Sequence, residues 1–272
     1  MKTRVLFGVG GFIFVLLALY VFPPAVLEVI IAALCVLATY EVLGSTRLVH
    51  NRLLLLLCGV SSFALAAAHS SLVPFEIIDV VQVLVMVLLV LSFGILLKFH
   101  DSMNASEIAW GFFGGLLVPY LMLALLRIFQ MTYHHGPFLV LLPLLAAWGA
   151  DTCALFAGLF FGKHKLAPVV SPKKTVEGAI GGIVGGALLV MLGALLMNRF
   201  LSLNMPIWAA AVLGGLGAVM GVIGDLSFSI IKRQTGIKDY GSIFPGHGGV
   251  LDRFDSVLFV APMAEILFRI IW

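Results

Sequence analysis

Apolar runs long enough to cross a bilayer follow one another along almost the whole chain, separated only by short polar or Gly/Pro-bearing connections. A spanning helix needs about 20 mainly apolar residues. Nine such stretches fit, at 5–22, 25–43, 53–72, 76–97, 108–130, 138–162, 178–197, 206–232 and 251–271. They consume most of the 272 residues and leave no segment for a separate soluble domain. Only 11% of residues are charged and 62% are hydrophobic, whereas soluble domains carry about 25% charge. The mean hydropathy of +1.16 points the same way. The pattern predicts an all-α integral membrane protein of about nine transmembrane helices, a single polytopic domain over 1–272 with 1–100 as its N-terminal helical part.

Charge placement orients the chain. With nine spans, alternate connections fall on opposite sides of the membrane. One side holds Lys2, Arg4, Arg47, Arg52, Lys98, Lys163, Lys165, Lys173, Lys174, Lys232, Arg233, Lys238 and Arg253; the other holds only Arg127, Arg199 and Arg269. Basic residues concentrate on the cytoplasmic side of membrane proteins, so the N-terminus is expected in the cytoplasm and the C-terminus outside. Lys2 and Arg4 before an apolar run imitate a secretory signal, but Pro23 and Pro24 end the run without a clear small-residue cleavage site. It reads as an uncleaved first span. The cysteines, Cys35, Cys58 and Cys153, lie scattered in apolar segments with no C-x-x-C pair, which disfavours metal or disulfide use. The net charge of +3 gives no reason to expect a nucleic-acid partner.

Glycines line two late spans: Gly181, Gly182, Gly185 and Gly186 in the seventh, Gly214, Gly215, Gly217, Gly221 and Gly224 in the eighth. Spacings of four permit close backbone approach in lipid. Packing within the bundle is the favoured reading over a dimer seam.

Ionisable side chains inside a membrane are costly and usually functional. In the first four spans Glu28, Glu41, Glu76 and Asp79 lie mostly near predicted ends, where snorkelling or interfacial placement explains them and no chemistry is assigned. The later half differs. Asp151 lies well inside the sixth span, Asp225 toward the cytoplasmic end of the eighth, and Asp252 and Asp255 open the ninth. Asp225, Ser229 and Lys232 fall on one helix face, and Asp252 and Asp255, three apart, are helical neighbours. These carboxylates read either as holders of a divalent cation such as Mg²⁺, an oxygen-loving ion, or as partners of Lys232, Arg233 and Arg253 in salt bridges.

Two cytoplasmic connections flank this region. In the first, Ser171, Pro172, Lys173 and Lys174 precede a span starting near Gly178, an arrangement of cations at a helix N-terminus that favours phosphate. The alternative is an anchor for lipid headgroups, the better reading for Lys163 and Lys165. The second, 234–249, carries Lys238, Asp239, Tyr240 and Gly241, then Phe244, Pro245, Gly246, His247, Gly248 and Gly249. Its glycines permit backbone conformations closed to other residues, so it suits wrapping a polyphosphate. His247 is expected to brace the turn or contact phosphate rather than transfer a proton.

These residues carry a resemblance. The run Ser229-Ile230-Ile231-Lys232-Arg233, then Lys238-Asp239-Tyr240-Gly241, then Phe244 through Asp255 resembles the signature of the phosphatidate cytidylyltransferases, the CDP-diacylglycerol synthases. Ser171 to Gly178 resembles a second block of that family, and Asp151-Thr152 and Gly224-Asp225-Leu226 fall where the family has them. The close resemblance covers 145–262, the expected catalytic part; the first half matches in hydropathy and span number alone. Two positions depart. Phe228 stands where many relatives have an acidic residue, and Leu155 where relatives often have Tyr.

The resemblance implies a nine-span, commonly dimeric enzyme of the cell inner or plasma membrane, its polar cavity open to cytoplasm and to lipid. It would join CTP to phosphatidic acid, releasing pyrophosphate and CDP-diacylglycerol. Asp225 and Asp252 would hold Mg²⁺, with a monovalent cation such as K⁺ sharing the centre. Lys173, Lys174, Lys232 and Arg233 would bind phosphates. Ser171, Ser229, Lys238 and His247 would contact or shape the nucleotide, and Asp239, Arg253 and Asp255 would brace the loop. Rival readings find less support. CDP-alcohol phosphotransferases need a D-x-x-D-G-x-x-A-R run and polyprenyl-phosphate sugar transferases need adjacent aspartates, both absent. A transporter would spread polar groups through both membrane halves, whereas here they cluster on the cytoplasmic side.

Overall fold

Helices form where the apolar runs lie, and their ends are set by capping side chains and prolines. The computed structural model describes residues 2–71, 77–132, 134–244, 246 and 248–272. In order these are α1 (Lys2–Tyr20), α2 (Pro24–Ser45), α3 (Arg52–Ala68), α4 (Ile77–Lys98), α5 (Ser106–Gln130) and α6 (Gly136–Phe161). A two-stranded ribbon follows, β1 (Lys165–Ala167) and β2 (Ser171–Thr175), then α7 (Val176–Leu201), α8 (Ile207–Gln234), α9 (Leu251–Phe254) and α10 (Val257–Ile271). Among the described residues six helices, α2 and α4 to α8, are long and apolar enough to cross a membrane. Their outer faces are greasy: Leu97, Phe160 and Phe200 are each 77% exposed. Water would penalise such surface; lipid does not.

Asn51 caps α3 by accepting from the backbone N–H groups of Leu53 and Leu54 at 2.9 and 3.2 Å, and Pro24 sits in the first turn of α2, where a missing N–H costs nothing. Three π-helical turns, Glu41–Ser45, Phe113–Leu117 and Leu145–Gly149, widen α2, α5 and α6. Such turns rotate the helix face that follows and are frequent near functional sites.

The chain divides into two compact units: Met1–Leu126 with Gln234–Arg253, and Arg127–Arg233 with Phe254–Trp272. In the first, α2, α3 and α5 pack closely. Thr39 Oγ1 donates to the Gly114 carbonyl at 2.8 Å, and the Cys58 thiol to the Gly111 carbonyl at 3.6 Å. Cys35 and Cys58 are buried and free, as small apolar residues would be.

Two glutamates depart from expectation. Glu28 and Glu41 do not snorkel; both are buried. Glu28 accepts from Ser70 Oγ at 2.6 Å and the Ser71 N–H at 3.1 Å, and Glu41 accepts from two backbone N–H groups, of Val250 and Leu251. A buried carboxylate is tolerable when N–H groups satisfy it, and here each one ties down a connection. Glu76 and the Asp79 side chain lie outside the described residues.

In the second unit α7 lies along α6 through the glycine stripe. A Cβ on Gly182 would meet the Ala154 Cβ at 3.0 Å, and one on Gly185 would meet Cys153 at 2.5 Å. Gly217 and Gly224 of α8 do the same against Ala146 and Phe259, at 2.8 and 2.9 Å. The stripe is therefore packing within the bundle, as the sequence suggested. Glu265 of α10, unremarked in the sequence, accepts from Arg127 Nε at 2.8 Å and from Arg269 Nη2 at 3.0 Å. Both Arg127 and Glu265 side chains are only 11% exposed. Removing one member of a buried pair strands the other, so Glu265→Ala is expected to cost about 3 kcal/mol, read as a lowered thermal unfolding midpoint in detergent.

Candidate active site

Asp225 sits on α8 within a group of charges contributed by four segments of the second unit. The sequence forms the group in steps. Thr175 leaves the ribbon in extended conformation and caps α7, its Oγ1 accepting from the Gly178 N–H at 3.1 Å. The Val176 N–H donates to the His164 carbonyl at 2.9 Å. Glu177, in the first turn of α7, accepts from the backbone N–H groups of Lys163 and His164 and pairs with His164 Nδ1 at 2.6 Å. The helix N-terminus expected to cradle phosphate thus spends two of its first N–H groups on its own connection. What the connection presents instead is side chains.

That presentation follows from an irregular ribbon. Ser171–Thr175 is extended and pairs antiparallel with Lys165–Ala167, with Ala167 opposite Ser171, Lys165 opposite Thr175 and an irregularity between those two pairs. Pro172 and Lys173 are exposed while Lys174 and Thr175 turn inward, so the adjacent lysines part company. Lys173 is exposed, whereas Lys174 turns in and ion-pairs with the Asp225 carboxylate through Nζ. Neither end of that pair is more than 26% exposed.

Other acidic groups gather on Asp225. Asp255, buried between α9 and α10, acts on it electrostatically, and Asp151, in the regular helix just beyond the π turn Leu145–Gly149, acts on both Asp225 and Lys174. Close approach of α8 here depends on Gly224, where a Cβ would fall 2.5 Å from the Asp255 carbonyl oxygen. Ser229 Oγ lies 3.5 Å from Asp225 Oδ1, one helical turn on, as the spacing predicted. Lys232, another turn along, is 8% exposed and acts electrostatically on Asp255. Arg233, next in sequence, points to the exposed side.

Three carboxylates and two ammonium groups gather here, the ammonium groups offsetting part of the repulsion among the acids. Among the described residues no three His, Cys, Asp or Glu side chains converge to complete a coordination sphere. Mg²⁺ takes one or two carboxylates and fills the rest of its octahedron with water and substrate phosphate. The donor set of Asp225 with Asp255 fits such an ion.

The remaining sequence-predicted residues lie in the first unit. Asp252 does not share a helix face with Asp255 in one continuous ninth helix, because α9 ends at Phe254 and α10 begins at Val257. Asp252 Oδ2 instead accepts from the Tyr240 N–H at 2.8 Å and the Gly249 N–H at 2.9 Å. The loop it holds is folded by glycines. Gly246 and Gly248 have φ of 77° and 83°, the left-handed region that favours glycine, and the Phe244 N–H donates to the Gly248 carbonyl at 2.9 Å. A Cβ on Gly248 would also meet Asp252 Oδ2 at 2.6 Å. Lys238, Asp239 and Arg253 are exposed. His247 lies outside the described residues.

The chain matches the cytidylyltransferase family over residues 2–271. The chain belongs to that family. Its resemblance to known members is high: it is 38% identical to a phosphatidate cytidylyltransferase of Staphylococcus epidermidis over 193 residues, covering 71% of this chain and 70% of the relative. It is 37% identical over the same span to one from Staphylococcus aureus. Over 136 residues it is 43% identical to the enzyme of that name from Staphylococcus saprophyticus, half of each protein. Two acidic residues stood out in the sequence without their partners being legible there. Asp151 stood out as an intramembrane charge, but nothing local placed it beside a residue 74 positions away. Glu41 lies 209 residues from its partner and carried no signal beyond being acidic in an apolar run.

Proposed function

We propose that this chain is a phosphatidate cytidylyltransferase, which condenses CTP with phosphatidic acid to give CDP-diacylglycerol and pyrophosphate. Curated relatives of that name, matching more than two thirds of the chain, carry the reading. In the reaction a phosphate oxygen of phosphatidic acid attacks the α-phosphorus of CTP, the bond to the β-phosphate bridging oxygen breaks, and pyrophosphate leaves with the negative charge. The attacking oxygen is already anionic near neutral pH, so no strong general base is needed. The protein's task is to bring two polyanions together and to stabilise the transferring group.

The residues suit that task. Lys174 and Lys232 bring positive charge to the carboxylate group around Asp225, and exposed Lys173 and Arg233 extend it toward solvent for phosphate. Asp225 is assigned to Mg²⁺, aided by Asp255; a share for Asp252, and a monovalent ion such as K⁺ beside it, rest on the family resemblance. Bound Mg²⁺ would neutralise phosphate charge and polarise the α-phosphoryl group. Ser171, Ser229, Lys238 and His247 are assigned to the nucleotide, Asp239 and Arg253 to its loop. The distribution of Lys and Arg supports nine spans, with the N-terminus and this site on the cytoplasmic side of the inner or plasma membrane and the C-terminus outside; 145–262 as the catalytic part of a single polytopic domain rests on the family resemblance. A homodimer, with no nucleic-acid partner, completes the reading.

The deciding experiment incubates purified protein with radiolabelled CTP, Mg²⁺ and mixed phosphatidic acids and identifies the lipid product by mass spectrometry. CDP-diacylglycerol with stoichiometric pyrophosphate is the expected outcome. Absence of CTP-derived label from lipid would overturn the assignment.

A further inference from the structure

A buried carboxylate at the end of α2 grips the start of α9 from 209 positions away in sequence. Glu41 Oε1 accepts from the Val250 N–H at 2.9 Å and Oε2 from the Leu251 N–H at 2.8 Å. Glu41 is 2% exposed. Its carboxylate also lies against Gly241 and Gly249, where any side chain would collide with it. The next residue, Asp252, uses Oδ2 to hold the Tyr240 and Gly249 N–H groups. Glu41 thus fixes the backbone at 250–251 from outside, and Asp252 ties the same backbone to the loop that precedes it.

We propose that Glu41 is a positioning residue for the reaction: it sets the orientation of the segment 240–252, and through it the carboxylate of Asp252. Three observations carry the inference. Both Glu41 oxygens are used, each on one of two consecutive amides, a bidentate grip that fixes rotation as well as position. The gripped amides open the helix that bears Asp252, so any turn of that helix moves its side chain. Finally, Glu41 opens the π turn Glu41–Ser45, an irregularity in α2 that costs helical hydrogen-bond geometry and is retained where it aims a side chain. The inference rests on the cytidylyltransferase reading for its kinetic consequence, but its structural half stands apart from that reading.

The test compares Glu41→Gln with Glu28→Gln in the full chain. Glu28 is an equally buried glutamate near the other end of the same helix, where it holds Ser70 and Ser71. An amide at position 41 keeps one acceptor and turns an NH₂ toward the second N–H. Hydrogen exchange of peptides covering 240–252 is expected to speed up at least tenfold in Glu41→Gln and to stay unchanged in Glu28→Gln. Turnover of CTP and phosphatidate is expected to fall ten- to a hundredfold in kcat for Glu41→Gln with KM for CTP within threefold, while Glu28→Gln keeps wild-type kcat at a comparable loss of thermal stability. Should Glu41→Gln fail to fold, Glu41→Asp carries the same readouts, since its shorter side chain reaches one amide only. Unchanged exchange at 240–252, or equal kcat losses in the two glutamine variants, overturns the proposal. A wild-type protein inactive on CTP sinks the enzymatic reading instead, and the exchange result still decides whether Glu41 orders the loop.

Discussion

Asp225→Asn is expected to lower CTP- and phosphatidate-dependent turnover by roughly a thousandfold while the protein still folds. The substitution preserves shape and one oxygen for Ser229 Oγ, which lies 3.5 Å away. It removes the charge that faces Lys174 and that adjoins Asp255 and Asp151. Two consequences separate loss of cation binding from general damage. The Mg²⁺ concentration for half-maximal activity should rise, and the unfolding midpoint should stay within a few degrees of wild type, because relief of repulsion among the neighbouring carboxylates offsets the lost pair with Lys174. Initial rates of lipid product across a Mg²⁺ titration read the first; a detergent melt reads the second. Full turnover by Asp225→Asn would end the metal assignment.

Lys174→Ala should be the next most damaging change, with kcat/KM for CTP down roughly a hundredfold. Lys174 is the cation the ribbon delivers to Asp225, and without it the carboxylate group lacks its partnered positive charge. Lys174→Arg should recover part of the loss. Guanidinium keeps the charge but spreads it over a planar fork that demands different geometry from a compact ammonium. Lys173→Ala, one residue away and on the exposed face of the strand, should cost far less. Equal losses at 173 and 174 would show that the ribbon acts as an undifferentiated basic patch, contrary to the different surroundings of the two lysines. The steady-state kinetics of all three variants at fixed Mg²⁺ settle it.

Much of this was legible from residue order alone, for definable reasons. Helix placement was legible because lipid imposes one requirement, a run of apolar side chains about 20 residues long, and that requirement is local. Even so, hydropathy runs α9 and α10 together as one helix. Asp255 breaks it by turning its own Oδ1 onto the Ser256 N–H at 2.8 Å, a short-range competition between side chain and backbone that hydropathy does not register. The link between Ser229 and Asp225 was legible because a helix fixes the spacing of its faces. The placement of Lys174 was not, since 165–175 reads as a loop and only the folded ribbon turns Lys174 inward and leaves Lys173 exposed.

Taken by itself, the residue order determined the membrane class, the positions of the helices and the family to which the chain belongs. Each of these depends on neighbours within a few turns or on a contiguous motif. Tertiary structure alone decided which charges meet: Asp151 with Lys174 and Asp225, Glu265 with Arg127, and Glu41 with the amides of Val250 and Leu251. A buried carboxylate must find donors somewhere, but chain order does not say where, because the partner is chosen by how helices pack in three dimensions.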